Sequence, residues 1–213
     1  MASTIEGGSL SQLFATPVWS FRATGGAELA AGAEARLRAL RDRDTRWDAG
    51  GRPAYWQSHD RLHEDPGLAG VTALVDEAAR AAVKLLEVEC TLRITSLWGN
   101  IGGAGRALHE HTHPNNFLSG VFYVRVPPGS GATSFKDPRP QARVLRPRAL
   151  RDNPLNSSEF RYEGAPGALL LFPAWLEHGV EANRSPEERI TLAMNLMVKG
   201  PLGSREQLAY SEV

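Results

Sequence analysis

The chain is short of cysteine, of net charge and of long apolar runs, and each shortage excludes something. Its one cysteine, Cys90, cannot close an internal disulfide. No basic start followed by an apolar run marks the N-terminus for export, so a reducing, cytoplasmic setting is expected. Lys plus Arg and Asp plus Glu both number 24, which leaves no net field to attract nucleic acid or an anionic membrane surface. The longest apolar runs, such as residues 168–172, fall far short of the roughly 20 residues a helix needs to cross a bilayer. Nucleic acid and membrane are therefore not expected as partners. No internal repeat or low-complexity block is visible.

What is present suits one core. With 213 residues and 42% apolar content, one compact unit is expected over residues 11–200, between a loose N-terminal tail at 1–10 and a C-terminal tail at 201–213. Leu13, Phe14, Val18, Trp19 and Phe21 form a β-prone stretch that Gly25 and Gly26 break. An Ala-, Leu- and Arg-rich helix over 28–43 follows, with Leu29, Leu37 and Leu40 on one side. Residues 48–53 read as a turn-rich loop, and Tyr55, Trp56, Gln57 and Ser58 form a compact aromatic and amide group. From 68 to 86 the apolar residues Leu68, Val71, Leu74, Val75, Ala78, Ala82 and Leu85 recur at three- and four-residue steps, the period of one helix face.

After Glu89 the period changes. Segments 91–101, 118–126, 132–135, 169–172 and 190–198 are rich in β-branched and aromatic residues, and glycine and proline turns separate them. Two helices followed by a run of strands argue for an α+β, mainly β layout: an antiparallel sandwich or barrel with flanking N-terminal helices.

Chemistry concentrates in His109-Glu110-His111-Thr112-His113-Pro114, which holds half of the 6 histidines at alternating positions. Residues two apart on an extended strand share a face, so a pair of imidazoles there can meet one metal from a single edge. Spacing alone leaves open which pair that is. His178, just past the apolar strand 169–172 and the turn at Pro173, is the candidate for a ligand from a second element. Arg189 and Thr191 are also two apart, and a guanidinium beside a hydroxyl matches a carboxylate. The competing reading of Arg189 is a surface ion pair with Glu187 or Glu188. Trp56, Gln57, Trp98 and Trp175 are candidates for a substrate mouth or for ordinary core packing.

These segments resemble, in order and over most of the chain, the 2-oxoglutarate and Fe(II)-dependent oxygenases of bacteria and phages, a family similar to the prolyl 4-hydroxylase-like group. The resemblance lies in Leu13-Phe14-Ala15-Thr16-Pro17-Val18-Trp19, Trp56-Gln57-Ser58 and Ser96-Leu97-Trp98-Gly99-Asn100. It continues in His111-Thr112-His113-Pro114, Leu118-Ser119-Gly120-Val121-Phe122-Tyr123-Val124 and Phe135-Lys136-Asp137-Pro138-Arg139. It closes on Leu171-Phe172-Pro173-Ala174-Trp175-Leu176-Glu177-His178 and Arg189-Ile190-Thr191.

The resemblance implies a double-stranded β-helix (jelly-roll, cupin-like) core and an enzyme that uses Fe(II), 2-oxoglutarate and O2 to hydroxylate a small molecule or an amino-acid-like substrate. It implies His111 as first and His178 as distal ligand, with Arg189 and Thr191 on the far carboxylate of 2-oxoglutarate and Asn100 and Tyr123 as further candidates for the same cosubstrate. Where the wider superfamily has a carboxylate as second ligand, this chain has His113, with Asp137 as the nearby alternative. His113 is favoured, because Asp137 sits in a Lys-Asp-Pro-Arg turn of the kind that engages acidic side chains locally. An imidazole in that place also disfavours halogenation. Two other classes fit the same histidines: a three-histidine, cupin-like dioxygenase without 2-oxoglutarate, and a non-catalytic metal-binding domain. A homodimer is left open.

Overall fold

The computed structural model describes residues 9–45, 55–145 and 147–213. The loop expected at 48–53 and most of the tail expected at 1–10 lie outside the described residues. The chain order is β1 (Trp19–Arg22), α1 (Gly26–Asp42), β2 (Tyr55–Gln57), α2 (Ala69–Leu86), β3 (Thr91–Gly102), β4 (Leu108–His111) and β5 (Leu118–Arg125). Then come β6 (Thr133–Lys136), β7 (Glu159–Tyr162), β8 (Ala168–Pro173), β9 (His178–Val180), β10 (Arg189–Lys199), β11 (Pro201–Leu202) and β12 (Ser211–Glu212).

Two antiparallel sheets form the body, a six-stranded one in the order β1-β8-β5-β10-β3-β2 and a four-stranded one in the order β4-β9-β6-β7. The large sheet is covered on one face by both helices, and side-chain alternation decides which face. Along β10, Ile190, Leu192, Met194, Leu196 and Val198 are buried, and the first four join the cluster shared with Leu37 of α1 and Val71, Val75 and Ala82 of α2. The intervening Thr191, Ala193 and Asn195 face the other way, toward the small sheet. On that side Tyr123, Phe135, Leu170, Phe172 and Leu176 form a second apolar cluster between the sheets. This is the jelly-roll, double-stranded β-helix layout expected from the strand pattern, with its helices outside.

Gly99 sets how closely α1 approaches. It lies on the helix-facing side of β3, and a Cβ there would come within 2.4 Å of Leu37 Cδ2.

The strands depart from expectation in instructive places. Leu13 and Phe14 are exposed and lie outside β1, and Phe14 has φ 58. Pro17, lacking an N–H for a ladder, separates them from the strand proper. Leu85 is also exposed; the buried stripe of α2 runs through Val71, Val75, Ala78, Ala79 and Ala82 instead. The segment 201–213, expected as a tail, carries the β11–β12 ladder, closed by a reciprocal backbone pair between Gly200 and Val213 at 2.7 and 3.1 Å. Two-residue strands give no readable alternation.

Candidate metal centre

The small sheet builds the centre. His111 ends β4 and is the cross-strand partner of His178, the first residue of β9. Beyond β4 the chain is held by the backbone N–H of His113, which donates to the Ala174 carbonyl at 2.9 Å. That bond turns the third imidazole toward the other two: ring centroids lie 4.4 Å apart for His111 and His178, 4.9 Å for His111 and His113, and 5.1 Å for His113 and His178. One nitrogen from each lies within 4.8 Å of the others, a spacing that fits one shared ion.

Tautomers are fixed as a metal site needs. His111 Nδ1 donates to the His109 carbonyl and His178 Nδ1 to the Leu176 carbonyl, both at 2.8 Å. Each Nε2 is left as a free lone pair, the arrangement by which an outer hydrogen bond orients a ligand ring. Burial pushes His178 and His113 down to about 4, with the neighbouring histidines adding to the effect, so both are neutral at physiological pH. Phe172, edge-on to His178 at 4.6 Å, and Trp98, 5.9 Å from His113, wall the cluster with apolar surface. Of the alternating histidines, His109 is exposed and stands outside the cluster. Asp137 is engaged locally: its carboxylate takes both Nε and Nη2 of Arg139 at 3.0 Å and the Arg139 backbone N–H at 3.0 Å.

A cavity of about 240 Å³ joins this cluster to the inner face of the large sheet. Register puts the sequence candidates into one row there. Thr191 pairs with Asn100 on β3 and with Tyr123 on β5, and Asn100 pairs in turn with Gln57 on β2. Arg189 precedes Thr191 by two residues, hence on the same face.

Neither acid expected to compete for Arg189 does so. Glu187 is bound by Arg125, and Glu188 takes Arg38 at 2.6 Å and Arg41 at 2.8 Å. The Arg189 guanidinium lies 5.5 Å from the Tyr123 ring centroid and its Nη2 is 3.5 Å from Thr133 Oγ1, while Nε is shut off from solvent without a hydrogen-bond partner among the described residues. Burial lowers its pKa, and Tyr123 opposes the shift. A cation placed so has donors left to receive an anion.

Asn100, Thr191 and Arg189 line the cavity, whereas Tyr123 lies behind its wall, with its hydroxyl 2.7 Å from Thr133 Oγ1. Tyr123 therefore supports Thr133 and Arg189 from beneath. Thr133 lines the cavity and was not singled out from sequence; its place on the inward side of β6 is the signal that marks it. Gln57 and Trp98 also line it, but Trp56 is a core residue whose Nε1 donates to Asp44 at 3.0 Å, and Trp175 is exposed elsewhere.

Comparison with known proteins agrees with this geometry. Residues 96–195 match the family model described as "Putative 2OG-Fe(II) oxygenase", a span that includes the three histidines, Asn100, Arg189 and Thr191. No curated protein matches the chain. Among solved structures, the non-heme alpha ketoglutarate dependent epimerase SnoN from nogalamycin biosynthesis aligns over 91% of this chain and 81% of its own, with 16% identity and TM-score 0.63. HygX from Streptomyces hygroscopicus, solved with nickel and 2-oxoglutarate bound, aligns over 85% and 83% with 16% identity and TM-score 0.60. EctD from S. alaskensis aligns over 85% and 73% with 18% identity and TM-score 0.60. At these identities the shared property is the fold.

Proposed function

We propose that the chain is a 2-oxoglutarate and Fe(II)-dependent oxygenase, a reading supported by the family model matched over residues 96–195, and that residues 11–200 form an oxygenase unit acting on a small molecule, with Fe(II) held by His111, His113 and His178. Arg189 and Thr191 receive the distal carboxylate of 2-oxoglutarate in this reading, and Asn100 contributes a donor beside them. When bound, the iron supplies the redox chemistry that couples oxidation of 2-oxoglutarate by O2 to succinate and carbon dioxide with insertion of one oxygen atom into a C–H bond of the substrate.

The protein's own part is position and exclusion of water. The carbonyls of His109 and Leu176 keep two imidazoles in the ligating tautomer. Phe172 and Trp98 dry the metal's surroundings, and Thr133 with Tyr123 steadies the guanidinium. Neutral imidazoles leave the charge of the ion to be balanced by the cosubstrate carboxylate, which ties cosubstrate binding to metal loading.

The observation that carries this reading is one cavity lined both by three converging imidazoles and by a half-buried guanidinium with no carboxylate partner among the described residues. A cupin-like dioxygenase without 2-oxoglutarate would have to place an anion of its own substrate at Arg189. The test is an anaerobic titration of the Fe(II) protein with 2-oxoglutarate, following the visible metal-to-ligand band. A band that requires His178 and weakens in Arg189→Ala supports the proposal; iron-loaded protein with no band refutes it.

A further inference from the structure

A second arginine faces the same cavity without an acid. Arg106 lines it, and no carboxylate meets its guanidinium among the described residues. Its guanidinium stacks over the Tyr55 ring, 4.0 Å from the centroid. The space it uses is that of a missing side chain: a Cβ on Gly102 would lie 3.2 Å from Arg106 Cγ. Gly102 pairs with Tyr55 on one side and Arg189 on the other, so Arg106 folds over the inner face of the large sheet in the row of Arg189.

The two cations point apart. Arg189 reaches toward Thr133 and the Tyr123 ring, on the β5–β6 side, while Arg106 lies over β2, the outermost strand. With strands spaced by about 4.8 Å, β2 and β10 stand roughly 10 Å apart across β3. One distal carboxylate of 2-oxoglutarate cannot occupy both places.

Arg106 is also held in position. Its carbonyl accepts from the Asn183 N–H at 2.8 Å, and Gly105 N–H donates to the Asn183 carbonyl at 2.7 Å. The buried Asn183 amide then ties this loop to Gly102 and Glu187 carbonyls at 3.1 and 2.8 Å. Neighbouring groups favour an acceptor as well. Tyr55 donates to Asn100 Oδ1 at 2.6 Å, which uses the acceptor of that amide and leaves its N–H groups for a ligand.

We propose that Arg106, stacked on Tyr55, is the substrate-reading residue of this enzyme and that the substrate carries a carboxylate. Stacking occupies the face of the guanidinium and presents its edge, whose paired N–H groups match the two coplanar oxygens of a carboxylate. The inference rests on the oxygenase reading above and adds the substrate's charge class to it.

The experiment uses Fe(II)-loaded protein, wild type and the variants Arg106→Gln, Arg106→Lys and Arg189→Ala. Anaerobic 2-oxoglutarate titrations come first. A wild type without the band overturns the oxygenase reading, and this inference falls with it. Given the band, Arg106→Gln keeps the wild-type midpoint; a midpoint weakened as far as in Arg189→Ala makes Arg106 a cosubstrate residue and overturns the proposal. Succinate release in air is then measured with a panel of small carboxylic acids, each paired with its primary amide. Acids that accelerate release where their amides do not support the proposal. For those acids Arg106→Gln is expected to raise KM by about 10- to 100-fold at little cost in kcat, with Arg106→Lys recovering part of the loss. A panel in which acids fare no better than amides, whether both stimulate or neither does, overturns it.

Discussion

His111 and His178 face each other across the β4–β9 ladder, with ring centroids 4.4 Å apart, and each gives its Nδ1 hydrogen to a carbonyl two residues earlier in its own segment. A divalent cation between them would be coordinated by the Nε2 lone pairs that this leaves free. His178→Ala and His111→Ala are expected to lower Fe(II) or Ni(II) affinity by more than the roughly 10- to 100-fold that loss of an outer supporting group costs. His113→Ala should do the same and Asp137→Ala should leave affinity unchanged, as measured by anaerobic calorimetric titration. Loss of binding in Asp137→Ala with retention in His113→Ala would reverse the assignment of the second ligand.

Arg189 makes no ion pair among the described residues, so its removal strands no carboxylate and tests ligand binding cleanly. Arg189→Ala is expected to weaken 2-oxoglutarate binding by about 10- to 100-fold, the loss of a charge-assisted hydrogen-bonded pair. Thermal stability should hold or rise, because a half-buried cation whose Nε lacks a partner costs folding energy. The check is the band midpoint set beside the unfolding temperature.

Tyr123 gives the pH dependence. Burial pushes its phenol up to about 12, against the lowering effects of Thr133 and Arg189. Its folded value is raised, so the folded protein keeps a proton that the unfolded chain releases, and the stability this gives is full below about 10 and lost as pH rises through about 12. A phenolate absorbance titration should show one tyrosine ionising near 12 or only on unfolding, and Tyr123→Phe should remove that step. Complete ionisation of Tyr123 by about pH 11 in folded protein would contradict the burial.

Gly99 offers a test of how the helix layer seats. A methyl group there meets Leu37 on the fully buried side of α1. Gly99→Ala is expected to cost about 1–3 kcal/mol through overpacking, read as a lowered urea midpoint. Leu37→Ala in the same chain should recover part of what Gly99→Ala alone loses relative to Leu37→Ala, since the smaller side chain leaves room for the methyl.

The histidines were legible because alternation is local: two residues on an extended chain must share a face whatever surrounds them. The α2 stripe was legible for the same reason. The row Asn100–Thr191–Tyr123 was reached only through the family resemblance, since it depends on the register of three strands far apart in sequence, which no short-range pattern specifies. That register is what puts Tyr123 behind the cavity wall although it stands in line with residues that face it. β7 was missed because Phe160 is exposed amid charged neighbours, and β9 because three residues carry no period. Arg106 gave no signal in sequence; its significance lies in the missing side chain of Gly102 and the ring of Tyr55.

Glu188 separates structural from functional charge at the start of β10. It is next to Arg189 in sequence, yet its carboxylate belongs to α1, accepting from Arg38 and from the mostly buried Arg41. Glu188→Ala removes the nearer of the two carboxylates that Arg41 meets, the other being Asp42 at 3.4 Å, and the expected loss is about 1–3 kcal/mol, at the lower end because the partly exposed carboxylate is screened by water. Raised salt should shrink the difference from wild type, as it does for pairs within reach of solvent. The 2-oxoglutarate midpoint should stay at the wild-type value, because two flanking strands, β3 and β5, hold β10 in register independently of the helix. Urea unfolding at two salt concentrations, run beside the anaerobic titration, checks both statements. A midpoint that moves as far as in Arg189→Ala would mean that α1 positions the guanidinium through Glu188, and that the acid beside it governs the cavity after all.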